Sequence, residues 1–297
     1  MVKLTPRLNF LLAFVELFKE PLTSIDLMKL LFLYCKKQNI GYYSFFPYLY
    51  GCFSYEVYKD KRSLIEKGFL QNDDNRFITI NSFGAFYSLS QEERISLDIF
   101  HRQMSEMRGD ALIRKTYLEY PEYMKLSVIK ERILTAEEIK KLSGPDELPF
   151  DKNDAIYTIG YEGISIDEYL RRLIKADIDI LIDVRKNPKS MKFDFNHKKL
   201  ADYLSKVSIQ YMGLPELGIP SDLRIDLTSE MAYQKLFSYY DSNILPLQLD
   251  KVCQIASLIQ TGHKVALACY EKDIHHCHRY RIAKKLFHDY GFEIINL

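Results

Sequence analysis

The chain has 297 residues, 47% hydrophobic and 27% charged, with a formal net charge of +1, which is room for two domains with cores of their own. The near-zero charge excludes a whole-molecule attraction to nucleic acid, so any such binding needs a local basic patch. No apolar run reaches the about 18 residues of a membrane span, no uninterrupted signal-peptide core opens the chain, and five irregularly spaced cysteines point to free thiols in a reducing cytoplasm rather than a disulfide framework.

Residues 1–84 read as a small helical unit closed by a hairpin. Leu8 to Phe18 has a helical apolar pattern that Pro21 breaks. Thr23 can cap a second helix carrying Leu27, Leu30, Leu31 and Tyr34 on one face, with Gly41 as its stop. Ser54 can cap a third helix running to about Lys67, and Gly68 is a C-terminal cap signal. Phe69 to Ile80 places two β-prone runs around an Asn/Asp turn. Three helices and a hairpin predict a winged-helix-like α(+β) domain. Its third helix would offer Lys59, Lys61, Arg62 and Lys67 to nucleic acid, or form a solvated face of a protein-interaction module. Glu56 and Asp60 on the same helix dilute the positive field.

Residues 85–150 predict a charged helical extension, and the turn-rich stretch Ser143–Asp154 marks the domain boundary. From 151 to 297 strands and helices alternate. Strands are expected at Ile156–Gly160, Ile178–Val184, Ile209–Met212, Val265–Ala268 and Phe292–Leu297. Helices are expected after Ser165, from Asn196 to Val207, from Met231 to Tyr240, from Leu245 to Ile259 and from Arg281 to Tyr290. This is the pattern of an α/β domain with a mainly parallel, doubly wound sheet. Such sheets bind ligands beyond the carboxyl ends of their strands.

Three strand ends carry polar groups to that edge. The first brings Tyr161, Glu162 and Gly163. The second brings Asp183, Arg185 and Ser190; Asp183 and Arg185 share a face and can pair or frame an anion. The third, Cys269 to Arg281, holds two cysteines, three histidines, two acids and two arginines. A thiolate is favoured by arginine, protonated histidine or a helix N-terminus. Cys277 lies between His276 and His278, ahead of Arg279, where a helix should begin; Cys269 lies at a strand exit. Either can serve as a nucleophile, with Arg279 and Arg185 holding an anion and Glu271 or His278 moving protons. Cys277 has the stronger electrostatic case and Cys269 the stronger positional one. Cys269, His275, Cys277 and His278 are zinc-binding types, but their spacing matches no standard pattern and no second Cys/His pair follows, so neither a metal nor a cofactor is expected.

Thr158–Leu170, Ile182–Ser190, Leu214-Pro-Glu-Leu-Gly218 and Ala268–Arg279 together resemble the DUF488 family in order and spacing. The resemblance covers about Ile156 to Leu297 and implies a doubly wound fold with a pocket built from these four motifs. One departure is Ile219, after Gly218, where members often have a second glycine. Leu181-Ile-Asp-Val-Arg185 followed by a strand, Cys269, Arg279 and a helix is distantly similar to rhodaneses, though the segment from cysteine to arginine is longer than the rhodanese cradle. In the N-terminal part, Phe46–Asp60 resembles the SocA/Panacea (DUF4065) family, with Cys52 where that family has proline. That resemblance implies protein as well as nucleic-acid partners. The expected function is action on, or sensing of, a phosphate-containing or nucleic-acid ligand in a Cys/His/Arg pocket, with an N-terminal module for DNA or protein recognition. The alternative is a non-catalytic DNA- or partner-binding regulator.

Overall fold

The computed structural model describes residues 4–18, 20–73, 76–79, 84–143, 154–224 and 227–297. The chain divides into two compact units, Met1–Asp146 and Glu147–Leu297. The Asn/Asp turn at 74–75 and most of the expected linker, 144–153, lie outside the described residues.

The N-terminal unit is mostly helical with small antiparallel pairings. In order it contains α1 (Pro6–Phe18), β1 (Leu22–Thr23), α2 (Ser24–Gln38), β2 (Phe46–Tyr48), β3 (Gly51–Phe53), α3 (Tyr55–Glu66), β4 (Leu70–Asp73), β5 (Arg76–Thr79), α4 (Gln91–Met104), α5 (Gly109–Glu119), α6 (Lys130–Ile133) and α7 (Ala136–Leu142). Capping residues set the helix starts. Thr23 accepts from the Asp26 N–H and Ser54 from the Val57 N–H, while Ser90 with Glu93 and Thr135 with Glu138 form reciprocal boxes. The stop of α2 is Asn39, at φ 52°, two residues before the glycine that the sequence offers; asparagine tolerates the left-handed region better than most residues. The pair β2–β3 interrupts what reads as an aromatic loop. β4 and β5 form the expected hairpin, and β1 adds to it antiparallel. One core joins Phe10, Phe14, Leu30 and Tyr34 with Leu97, Phe100 and Leu112, so α4 and α5 pack with the first helices.

The C-terminal unit runs β6 (Ala155–Gly160), α8 (Ile166–Lys175), β7 (Ile180–Asp183), α9 (His197–Ser205), β8 (Gln210–Gly213), α10 (Glu230–Tyr239), α11 (Leu249–Gln260), β9 (Val265–Cys269), α12 (His278–Tyr290) and β10 (Glu293–Asn296). The five strands form a parallel sheet in the order β10-β6-β9-β7-β8. Alternate residues of a strand face opposite sides. Ile156, Ile180, Ile182 and Leu267 join Val252, Ile255, Ile282 and Leu286 of α11 and α12 in one core. Their neighbours Tyr157, Leu181 and Ala266 are also buried. Strands buried on both faces read as continuous apolar runs, which is why these were legible. β9 is the central strand. Gly160, Asp183 and Cys269 therefore end on one edge, Gly160 paired with Cys269 and Asp183 with Ala268. Among the described residues no helix is long and apolar enough to cross a membrane.

Candidate functional site

β9 delivers Cys269 to the middle of the carboxyl edge, and the chain returns to the sheet at Cys277, the N-cap of α12. The loop between them is pinned at several points. The Tyr270 carbonyl accepts the N–H groups of Tyr161 (3.1 Å) and Glu162 (2.9 Å), and the Glu162 carboxylate accepts the Lys272 N–H at 2.9 Å. Arg279, fully buried, donates to the Glu271 carbonyl at 2.6 Å and the Lys272 carbonyl at 3.3 Å. Gly160 makes the approach possible, because a Cβ there would lie 2.0 Å from the Glu271 carbonyl oxygen.

The pinned loop folds the Glu271 side chain over two sulfurs. Cys269 Sγ and Cys277 Sγ each lie 3.0 Å from Glu271 Oε2. His278 Nδ1 stands 3.8 Å from Cys269 Sγ and 4.0 Å from Cys277 Sγ. Its Nε2 is 2.8 Å from the Val184 carbonyl. Only an N–H can donate to a carbonyl, so Nε2 carries hydrogen and Nδ1 faces the sulfurs. Both cysteines and His278 are 1% exposed. Arg224 closes the mouth, with Nη1 donating to Glu271 Oε1 at 3.1 Å and Nη2 lying 3.4 Å from His278 Nδ1. The side chains of Arg224 and Glu271 remain 30% and 21% exposed, so they are the groups of the cluster that meet solvent.

The two thiols are not equivalent. Burial opposes a thiolate at Cys269, but Cys277, His278 and Glu271 outweigh it and hold Cys269 well below the usual thiol range. Burial and the negative Cys269 push Cys277 well above that range. The same two causes raise Glu271. Burial opposes a charge on His278, and Cys269 outweighs it, raising the imidazole. Of the sequence neighbours that favour a thiolate at Cys277, His278 stays beside it at 4.0 Å, and the rest are engaged with other groups. His276 bonds Glu230 at 2.6 Å and stacks on Tyr233, Arg281 pairs with Asp241, and Arg279 holds loop carbonyls.

The second strand end has a structural part. Arg185 is bidentate to Asp183 at 2.8 and 2.5 Å, and its remaining bonds go to Tyr161 Oη (2.7 Å) and the Phe195 carbonyl (3.0 Å). Burial opposes that charge and Asp183 outweighs it, keeping the guanidinium above its usual pKa. Asp183 also accepts from Tyr211 Oη at 2.8 Å. Tyr161 stacks on Phe195 at 4.3 Å and reaches Ser190 Oγ at 3.3 Å. Gly163, at φ 77°, turns the first loop. Arg185 and Arg279, expected to hold an anion, are thus engaged in bracing the loops. Among the described residues, Arg224 is the arginine that reaches the Glu271 carboxylate and the His278 ring. No motif announces it, because it lies in an ordinary polar stretch whose importance comes from where the chain passes.

The expected metal-binding types divide. Cys269, Cys277 and His278 bring their donor atoms within 4.8 Å of one another. His275 instead lines a separate cleft of about 550 Å³ with His276, Tyr233, Tyr280, Arg281 and Lys284.

Lys59 and Arg62 of α3 and Lys67 at its C-cap are exposed. Lys61 is buried, donating to Ser24 Oγ at 3.0 Å with its ammonium over the Tyr58 ring. Glu56 and Asp60 are both paired with Arg7.

Residues 165–286 match the family model for DUF488, a domain of unknown function. The matched region holds every member of the Cys/Glu/His/Arg cluster and excludes the first strand, the Tyr161–Gly163 loop and the N-terminal unit. No curated protein and no solved structure matched the chain.

Proposed function

We propose that the DUF488 domain binds a phosphate-containing ligand, such as a nucleotide or a nucleic-acid end, at Arg224, and that the cluster behind it acts on or senses that ligand. The observation that carries this reading is the juxtaposition of a partly exposed guanidinium with a buried thiol pair, a carboxylate and an imidazole at the carboxyl edge of a parallel sheet. A guanidinium has five N–H donors, and among the described residues Arg224 directs one at Glu271 and one at His278. A phosphate drawing Arg224 outward releases Glu271 from it and uncovers the sulfurs. In the metal-free, reduced protein Cys269 is the nucleophile, with Glu271 and His278 within reach as proton carriers.

The test is a thermal-shift and calorimetric screen of inorganic phosphate, nucleoside phosphates and short oligonucleotides against wild type, Arg224→Gln and Cys269→Ala. Phosphate-bearing compounds should stabilise wild type, Arg224→Gln should lose at least tenfold in affinity, and Cys269→Ala should bind without turnover. The reading fails if no phosphate compound binds, or if Arg224→Gln binds as wild type does.

For the N-terminal unit we propose a winged-helix-like recognition module. Its support is the order of three helices and a hairpin, with β1 completing the hairpin sheet. A protein partner is favoured over DNA, because Lys61 is withdrawn from the surface of α3 and only Lys59, Arg62 and Lys67 of the four expected cations are exposed. DNA affinity falling steeply with salt would reverse that preference.

A further inference from the structure

We propose that Cys269, Cys277, His278 and Glu271 form a zinc site. The assignment rests on the geometry of the cluster and stands whether or not Arg224 meets phosphate.

Three donor atoms, Cys269 Sγ, Cys277 Sγ and His278 Nδ1, lie within 4.8 Å of one another, and the Glu271 carboxylate borders the two sulfurs. Cys269 Sγ and Cys277 Sγ lie 3.0 Å from Glu271 Oε2, and His278 Nδ1 lies 3.8 and 4.0 Å from them. Tetrahedral zinc, with bonds of about 2.0–2.3 Å, sets its donors about 3.3–3.8 Å apart. The imidazole and the two sulfurs therefore need shifts of only a few tenths of an ångström toward an ion, and Glu271 closes on it as fourth ligand by a larger rotation of its side chain.

The supporting contacts also fit. His278 Nε2–H is committed to the Val184 carbonyl at 2.8 Å, which leaves the Nδ1 lone pair turned toward the sulfurs. Glu271 presents Oε2 to the sulfurs while Oε1 is held by Arg224 at 3.1 Å. Metal-bound imidazoles and carboxylates are ordinarily oriented by such outer contacts. Charge supplies a third argument. Two thiolates and a carboxylate leave Zn²⁺ with one net negative charge, and Arg224 cancels it. Without a cation, three acidic groups share one buried point and cannot all ionise. Two thiolates with one imidazole and one carboxylate suit zinc rather than calcium or magnesium, which take oxygen donors.

The ligands sit on firm supports: the end of the central strand, the cap of α12, and a loop clamped by Arg279. Glu271 is the one ligand that reaches solvent. Binding releases to buffer the protons that the cluster still holds. The zinc-loaded and free-thiol forms are alternative states of one centre, so zinc silences Cys269 as a nucleophile.

The experiment uses the full chain, reduced and in phosphate-free buffer. Metal analysis after chelator-free purification should find close to one zinc per chain. Chelator-stripped protein titrated with Co²⁺ should show thiolate-to-cobalt charge transfer and the strong ligand-field bands of a tetrahedral ion. Cys277→Ser should lose at least tenfold in affinity, and Arg224→Gln, which keeps all four donors, should lose about 10- to 100-fold. If the serine variant does not fold, alkylation of wild type mapped by mass spectrometry replaces it. One equivalent of Zn²⁺ should protect Cys269 and Cys277, while the exposed Cys253 reacts regardless. The proposal is overturned if stripped wild type takes up neither Zn²⁺ nor Co²⁺ stoichiometrically, if folded Cys277→Ser binds as wild type does, or if zinc leaves the alkylation of Cys269 and Cys277 unchanged. With phosphate absent throughout, failure here leaves the reading of Arg224 standing.

Discussion

Gly160→Ala puts the architecture of the site to a direct test. The new Cβ would lie 2.0 Å from the Glu271 carbonyl oxygen, 2.8 Å from its carbon and 3.3 Å from Arg279 Nη2. The closest atoms are backbone, so no side-chain rotation relieves the clash. An ordinary carbon-to-oxygen contact is about 3.3 Å, so the loop must retreat by about 1.3 Å from a strand end fixed by the sheet. That movement strains the Arg279 bonds to the loop and draws Glu271 off the two sulfurs. Overpacking of this kind costs about 1–3 kcal/mol. At about 2–4 °C per kcal/mol for a unit of this size, the melting transition of the C-terminal unit should fall by roughly 2–12 °C. Differential scanning calorimetry of the full chain measures it. Gly213→Ala is the control, because its nearest heavy atoms are 3.8 and 3.9 Å away, ordinary contact distances. If Gly160→Ala melts within about 1 °C of wild type, the loop does not press on β6 as described, and the placement of Glu271 falls with it.

Two further predictions concern charge. Asp183→Asn leaves the Arg185 guanidinium buried opposite a neutral amide, and the pair is nearly inaccessible, with side-chain exposures of 7% and 1%; urea unfolding should show a loss of about 3–5 kcal/mol, and a loss under about 1 kcal/mol would contradict a buried ion pair. Lys61 is lowered to about 8 by burial and then by Arg62. A base whose folded pKa lies below its unfolded value destabilises the fold while it is charged. Wild type should therefore gain stability relative to Lys61→Met as pH rises from about 8 toward about 10.5. Urea midpoints at the two ends of that window check this, and a pH-independent difference would mean that Lys61 is not buried as described.

Much of the fold could be read from local chemistry. The strands of the C-terminal unit are short apolar runs because both of their faces are covered. Thr23, Ser54, Ser90, Thr135 and Ser165 cap helices through side-chain oxygens only a few residues from the N–H groups they satisfy. Interactions of such short range are written in the sequence. Asn39 shows the limit: two neighbouring residues could stop α2, and the choice between them is not a matter of composition.

The candidate site was legible in part. That the Cys269–Arg281 stretch would gather at the edge of a parallel sheet follows from strand, loop and helix in that order. Which of its side chains would face one another does not. Cys269 and Cys277 meet because a pinned loop returns the chain to its starting point. His278 joins them, while His275 and His276 turn to a different cleft. Arg185 and Arg279, conspicuous in sequence, brace the loops from inside. Arg224, inconspicuous in sequence, comes from 45 residues before Cys269 to stand over the cluster. Residue types and local spacing are set by the chain itself. Convergence of donors from β9, its loop, α12 and the segment after β8 depends on contacts between residues distant in sequence, and only the tertiary fold decides those.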